Sequence, residues 1–442
     1  MGIFFGTDGI RGVVNEDLTY NVAFKCGNSV GSSKANPTIL IGGDTRLTRS
    51  YLISAFSSGA MSSGAKIIDV GVCPTAGIAY LTKTLNMDYG VVVSASHNPA
   101  EYNGIKVFDS DGVKLGENRE ELLERKFLHE THKNHGELGE YCQKFSLVKK
   151  YQEYLANCCK CRLDGLTIVL DGSNGAAYKI APKVFKTLGA KVIKINCRNN
   201  GSEINYNCGS TCPSALSNAV KKYKANIGFA FDGDSDRIIA CDEKGNIIDG
   251  DMIIYVLGKH LKSQGKLNKN TVVGTRHTNM GLEKSLKKYG IKLIRTDIGD
   301  KYVIAKMEED VLSLGGEKSG HIIFRDLATT GDGILTGIKL AELVKTSGKD
   351  IGELCDFEIY PQVNIDCIVK DKMSVINSQE LHSIIDKIDQ AMGKDYRLMV
   401  RVSGTENKIR IMVEGLDKTK CETYAKEIES TICKINKLKE SL

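Results

Sequence analysis

Residues 227–237 read IGFAFDGDSDR. Five apolar residues are followed at once by three aspartates at alternate positions, with an arginine closing the stretch. An apolar run of this length with no polar face predicts a strand buried on both sides, as in a parallel sheet covered by helices. The abrupt polar exit predicts that the chain leaves the sheet at the edge where open α/β sheets gather their ligands.

The same order of segments occurs three times. TILIGGD, AKIIDVG and YGVVVSAS form one set; LTIVLDGSNG, AKVIKINC and IGFAFDGDSD form the second; TVVGTRHT, IKLIRTD and VLSLGGEKSG form the third. Between the first two strands of each set lies a stretch with helical spacing, such as YKIAPKVFKTLG. The tail changes character. VNIDCIVK, the helical SQELHSIIDKIDQAMG, then YRLMVRVSG and NKIRIMVEG suggest hairpin strands with helices on one side. The expected fold is α/β: three related α/β domains with mainly parallel mixed sheets, plus a C-terminal α+β domain. The expected boundaries are 1–148, 149–248, 249–361 and 362–442.

Composition narrows the function. Sixty Lys and Arg against 54 Asp and Glu leave a net charge of +6. That suits an anionic ligand but does not argue for nucleic acid, because the basic residues form no long run. No apolar stretch approaches the ~18 residues of a membrane span. The start, MGIFFGTDGIRG, has no charged segment before an apolar one, so no secretory leader is expected, and Gly6 departs from the myristoylation pattern. The 14 cysteines follow no framework of spacings, which predicts reduced thiols in a cytoplasm. The CCKC group at 158–161 lacks a second ligand pair at zinc spacing, so no metal is expected there.

Four loops carry chemistry. Asp232, Asp234 and Asp236 repel one another unless a cation neutralises them, and hard oxygen ligands in a short loop suit Mg²⁺. The plain alternative is a polar turn with solvated carboxylates. GGEKSGH offers Glu317, Ser319 and His321, a set suited to sugar hydroxyls, or else a Gly-rich turn. In RVSGTENKIR, Arg401, Ser403, Thr405, Arg410 and the N–H groups around Gly404 can grip a phosphate; a hairpin turn with surface arginines is the alternative. The fourth loop lies in VVVSASHNPAEYNGIKVF, residues 91–108. A serine needs activation to react, and no Ser-His-Asp order or G-x-S-x-G elbow is visible here. A seryl oxygen or seryl phosphate held by the cation of the aspartate loop is another route.

Taken in order, FGTDGIRG, SASHNP with NGIK, NCGST, DGDSDR, GGEKSGH and RVSGT resemble the α-D-phosphohexomutase family along essentially the whole chain. FGTDGIRG and NCGST favour its glucosamine-phosphate branch over the mannose/glucose branch. The resemblance implies four domains around a central cleft. It implies a phosphoserine at Ser96 in the first domain, and one Mg²⁺ held by the Ser96 phosphate with Asp232, Asp234 and Asp236 in the second. Sugar contacts from Glu317, Ser319 and His321 follow in the third, and a phosphate clamp of Arg401, Ser403, Gly404, Thr405 and Arg410 in the last. Arg11, His97, Lys106 and Arg237 match charged or acid/base positions beside the phosphoserine. Departures from the family pattern include Lys318, Val402, Asn407, Cys212, Lys301, Ala76 and Ser235. None of them removes a proposed metal ligand, while Lys318 stands beside the sugar-reading residues.

The implied activity interconverts glucosamine 6-phosphate and glucosamine 1-phosphate through the phosphoserine enzyme and a 1,6-bisphosphate, supplying amino sugar for UDP-N-acetylglucosamine and the cell wall. Glucose or glucosamine 1,6-bisphosphate is the expected activator. The expected partners are a small-molecule hexose phosphate and a second copy of the chain, with no nucleic acid and no membrane. Three alternatives stand beside this reading: a mannose/glucose mutase of the same mechanism, a non-catalytic sugar-phosphate-binding paralogue, and a metal-dependent phosphatase.

Overall fold

A computed structural model describes residues 5–6, 9–129, 137–403 and 406–438. The chain divides into two compact units, residues 1–278 with 289–356, and residues 279–288 with 357–442. No helix among the described residues is long and apolar enough to cross a membrane.

The first unit is built from three sheets that repeat one plan. In each, the first strand of the set runs at the centre, and the next two pair with it in parallel on either side. Thr38–Gly43 is flanked by Lys66–Val72 and Tyr89–Val93. Thr167–Asp171 is flanked by Lys191–Ile195 and Ile227–Phe231. Thr271–Thr275 is flanked by Lys292–Thr296 and Leu314–Gly316. The three sets of strands are therefore those read from the sequence, and the triplication is one of topology.

Each third strand then does something the sequence reading did not separate out. It turns straight back as an antiparallel neighbour: Tyr102–Phe108, Ile238–Cys241 and Ile322–Phe324. The sheets are mixed for this reason, and the three polar loops are the hairpin ends of these returns. The central apolar strands are covered on both faces: in the first sheet Ile39, Ile41, Val91 and Val93 are completely buried on one face, and Leu40 and Val92 on the other.

The second unit is a three-stranded antiparallel sheet in the order Gln362–Ile368, Lys408–Gly415, Tyr396–Val402. The helices Gln379–Met392 and Lys418–Leu438 contribute Leu381, Ile388, Cys421, Ala425, Ile428 and Ile432 to its core. This is the α+β arrangement expected of the tail.

Small residues set the closest contact in the first sheet's helical layer. Helices Tyr20–Gly31 and Arg49–Met61 cross where Gly27 faces the Phe56 carbonyl and Gly59 faces the Phe24 carbonyl, each only 1.9 Å from where a Cβ would stand. Backbone cannot yield as a side chain can. Gly59→Ala should therefore cost about 2–3 kcal/mol of stability, the upper range for overpacking. Urea denaturation followed by circular dichroism checks this, and an unchanged midpoint would show that the helices slide apart freely.

Candidate active site

The aspartate loop is the six-residue hairpin between Ile227–Phe231 and Ile238–Cys241. Strand burial on both faces leaves its carboxylates inside the protein. Asp232 and Asp234 are fully buried and Asp236 nearly so. Ligand oxygens of the three lie within 4.8 Å of one another. The bend is fixed locally: Ser235 adopts φ +62°, its N–H donates to the Asp232 carbonyl, and the Arg237 N–H donates to Asp232 Oδ1 at 3.1 Å.

The loops of the other two sheets meet this one. Ser96 Oγ donates to Asp232 Oδ2 at 2.6 Å. Lys106, only 2% exposed, reaches Asp234 Oδ2 at 2.9 Å and Asp236 Oδ2 at 3.3 Å. Thr75 Oγ1 donates to Asp234 Oδ2 at 2.7 Å. From the third sheet, His321 Nδ1 stands 3.8 Å from Asp236 Oδ1. The third loop docks through the backbone as well, since the Ile238 N–H donates to the Gly320 carbonyl at 3.0 Å.

The electrostatics follow from burial and crowding. Burial, then the charges of Asp236 and Asp234, push the Asp232 carboxyl well above its usual range. Burial raises Asp236 too, but Lys106, His321 and Arg237 outweigh it and hold that carboxyl well below. One buried ammonium cannot neutralise three buried carboxylates. Asp234 Oδ1 and Asp236 Oδ1 are buried with no hydrogen-bond partner. Two orphaned carboxylate oxygens in an all-oxygen set fit a hard divalent cation, which would satisfy both and remove the mutual repulsion.

The imidazoles differ. His97 Nδ1 lies 3.4 Å from Ser96 Oγ, and burial with the charges of Arg237 and Arg11 pushes its pKa down to about 4, so it is neutral at pH 7. His321 is lowered by burial and raised more strongly by Asp236, to about 9. Its Nε2, however, accepts the Gly331 N–H at 3.1 Å. That hydrogen bond opposes protonation at Nε2 and places a proton on Nδ1, facing Asp236.

Glu317 Oε1 accepts the Gly299 N–H at 3.0 Å, and Ser319 is exposed at the hairpin tip. Arg11 Nη1 donates to Asn98 Oδ1 at 3.1 Å in the loop after Ser96. Arg237 Nε lies 3.9 Å from Asp236 Oδ1. Ser96, His97, Lys106, Arg11, Arg237, the three aspartates and His321 are thus brought together.

In the second unit, Arg401 and Arg410 stand directly opposite on paired strands. Like charges in that position destabilise a ladder unless anions intervene. Arg410 has Glu406 at 3.2 Å and Asp366 at 3.6 Å. Burial and Arg410 both push the Arg401 guanidinium below its usual value. Ser403 is buried and accepts the Glu406 N–H at 3.3 Å. Gly404 and Thr405 lie outside the described residues.

The sequence reading did not select Asp44, Arg46, Thr75 or Asn205, all of which touch the loops that meet here. Asp44 and Arg46 follow the strand Thr38–Gly43 at the same ligand edge, a positional signal that was available. Asn205 had only its place just before the NCGST motif.

Comparison with known proteins agrees with this geometry. Four consecutive segments match the phosphoglucomutase/phosphomannomutase domains: α/β/α domain I at residues 2–134, domain II at 149–245, domain III at 249–360 and the C-terminal domain at 365–431. The chain is 42% identical over 444 residues to the phosphoglucosamine mutase of Staphylococcus carnosus (strain TM300), covering 98% of each chain. It is 42% identical over 441 residues to that of Bacillus subtilis (strain 168), again covering 98% of each. Among solved structures, a phosphoglucomutase/phosphomannomutase family protein from Burkholderia thailandensis aligns with a TM-score of 0.81 at 22% identity, covering 98% of both chains. Aspergillus fumigatus N-acetylphosphoglucosamine mutase, solved in complex with GlcNAc-6P and magnesium, aligns at 0.70 and 17%, covering 99% of this chain and 96% of that one.

If the orphaned carboxylate oxygens hold a cation, Asp234→Asn should weaken Mn²⁺ binding by more than about tenfold, the loss seen even for outer-sphere partners. Titration followed by electron paramagnetic resonance measures this, and unchanged affinity would remove the aspartate loop as the site.

Proposed function

The chain belongs to the phosphoglucomutase/phosphomannomutase family of phosphoryl-transferring isomerases, and from that membership we propose that it interconverts glucosamine 6-phosphate and glucosamine 1-phosphate. The observation that carries this reading is Ser96 Oγ, 2.6 Å from Asp232 within the buried carboxylate group, in a chain 42% identical to phosphoglucosamine mutases over nearly its whole length.

In this reading, residues 1–148 carry phosphoserine 96, 149–248 the metal loop, 249–361 the sugar-reading loop and 362–442 the phosphate clamp. Asp232, Asp234, Asp236 and the Ser96 phosphate would hold one Mg²⁺. When bound, that ion offsets negative charge as the phosphoryl group loosens from its oxygen. Phosphoserine 96 gives its phosphoryl group to the sugar's free hydroxyl, and the resulting 1,6-bisphosphate returns its other phosphate to Ser96.

The proton steps fall to this chain's own side chains. Lys106, paired with Asp234 and Asp236, is held as an ammonium and in that pairing can donate but not accept a proton. His97, kept neutral, can accept one. Arg11 and Arg237 supply positive charge beside the transferring group. Glu317 and Ser319 offer acceptors and donors to the sugar, while His321, expected from the sequence to join them, has its ring nitrogens turned to Asp236 and the Gly331 N–H and supports the aspartate loop instead. Arg401, Ser403, Gly404, Thr405 and Arg410 hold whichever phosphate is not reacting. The opposed arginines support that role, because an anion between them relieves their repulsion.

A homodimer, a cytoplasmic location and activation by glucose or glucosamine 1,6-bisphosphate belong to the same reading and rest on the family alone.

Ser96→Ala should lower turnover by at least about a thousandfold, the scale on which removing a nucleophile is felt. Among glucosamine, glucose and mannose 1-phosphates, kcat/KM should favour glucosamine by about tenfold or more, as for its relatives' named substrate, since an acceptor holds a charged ammonium more strongly than a neutral hydroxyl. Coupled assays measure both. Normal turnover by the Ser96 variant would defeat the mechanism, and a preference for mannose or glucose would move the substrate.

A further inference from the structure

Ser96 sits in the left-handed backbone region, at φ +52°. Side chains with a Cβ avoid that region unless their surroundings enforce it. Its N–H is taken by Ser94 Oγ at 2.9 Å, and Ser94 Oγ donates onward to Asp44 Oδ2 at 2.6 Å. Its carbonyl oxygen receives two donors, Arg46 Nη2 at 3.0 Å and Asn205 Nδ2 at 2.9 Å. The same two nitrogens reach the Asn98 carbonyl, at 2.8 and 3.0 Å.

Arg46 is almost completely buried, and four of its five guanidinium N–H groups meet acceptors. Its Nη1 reaches the Pro99 carbonyl at 2.5 Å, and its Nε and backbone N–H hold Asp44 Oδ2 and Oδ1 at 3.1 and 2.9 Å. A buried guanidinium is tolerated only when it is paired with a carboxylate and hydrogen-bonded in this way. Asp44 therefore binds both ends of the device: Arg46 below the carbonyls, and Ser94 above the amide.

Asn205 arrives from the second sheet. It lies between the strand Lys191–Ile195 and the helix Ser214–Tyr223, at φ +59°, with its N–H on the Ser173 carbonyl at 3.0 Å. Both of its side-chain contacts are carbonyl oxygens, so the amide nitrogen must face them. The approach is close enough that a Cβ on Gly233 would stand 2.5 Å from the Ser96 carbonyl oxygen.

We infer that Arg46 and Asn205 are positioning residues that act as one clamp on the carbonyls of Ser96 and Asn98, directing the Ser96 hydroxyl at Asp232. Asn205 ties the reacting loop of the first sheet to the sheet that supplies the aspartates. The inference rests on the reading of Ser96 as the phosphoryl carrier. It assigns to the segment before NCGST a mechanical task rather than contact with sugar or metal.

Asn205→Asp tests it. The substitution preserves shape and tolerance of the left-handed region, but it puts an acceptor against two carbonyls. The expected result is a fall in kcat of about tenfold to a hundredfold, the scale of a misplacement near 1 Å. KM should stay within about twofold, because the side-chain amide is spent on the Ser96 and Asn98 carbonyls. Asn205→Gly, which also tolerates the backbone, should give a loss in kcat of the same kind. With Arg46→Lys, the double variant should lose less kcat than the product of the single losses, since both residues serve the same two oxygens. If Arg46→Lys does not fold, the two Asn205 variants carry the test. A kcat within about threefold of wild type in Asn205→Asp, or a loss expressed mainly in KM, overturns the clamp. Normal turnover by Ser96→Ala would instead overturn the reading beneath it, so the two failures are distinguishable.

Discussion

Three carboxylates share one buried corner, and the rest of the structure answers to that. At an effective dielectric of about 20, two unit charges about 4 Å apart interact by about 4 kcal/mol. Asp232, Asp234 and Asp236 would make three such pairs if all were ionised, opposed by Lys106 in direct contact and by Arg237 farther off. The balance is struck unevenly, with Asp232 pushed toward its neutral form and Asp236 held ionised. A divalent cation would complete it. Each group that meets the loop is a donor or a cation: Ser96, Thr75, Lys106, Arg237 and His321.

This constraint explains why three sheets of one plan are assembled side by side. A strand buried on both faces can end in a polar loop only at the sheet's edge. An antiparallel return strand holds that loop as a hairpin of fixed shape. One hairpin brings carboxylates, another a hydroxyl and an ammonium, and the third an imidazole and a glutamate. Tight backbone approaches at Gly233 and Gly320 leave little room for the hairpins to shift against one another.

Much of this was legible in the sequence because apolar runs broken by reactive residues are a strong local signal. The three strands of each set and the aspartate loop were read from such runs, whereas Ser96 was singled out from its neighbouring Ser94 only by the family pattern. The return strands were not separated out, because the apolar residues of NGIKVF and RIIAC follow the reactive loops so closely that strand and motif merge. Arg46 was missed for a different reason. Charged side chains are usually solvated, and nothing local announces that three carbonyls and a carboxylate will bury this one. Asn205 is a purely tertiary fact, since its partners lie 107 and 109 residues away. The clamp residues Gly404 and Thr405 remain assignments from the family pattern.

The central claim is that Ser96 carries the phosphoryl group that the sugar receives. The most direct measurement is a single turnover. Enzyme labelled with ³²P on Ser96 is mixed with unlabelled glucosamine 6-phosphate and Mg²⁺, then quenched in acid and resolved by chromatography. The account predicts that label leaves Ser96 and appears in glucosamine 1,6-bisphosphate during the first turnover. Label that stays on the protein while glucosamine 1-phosphate forms, or that leaves as inorganic phosphate, would contradict it.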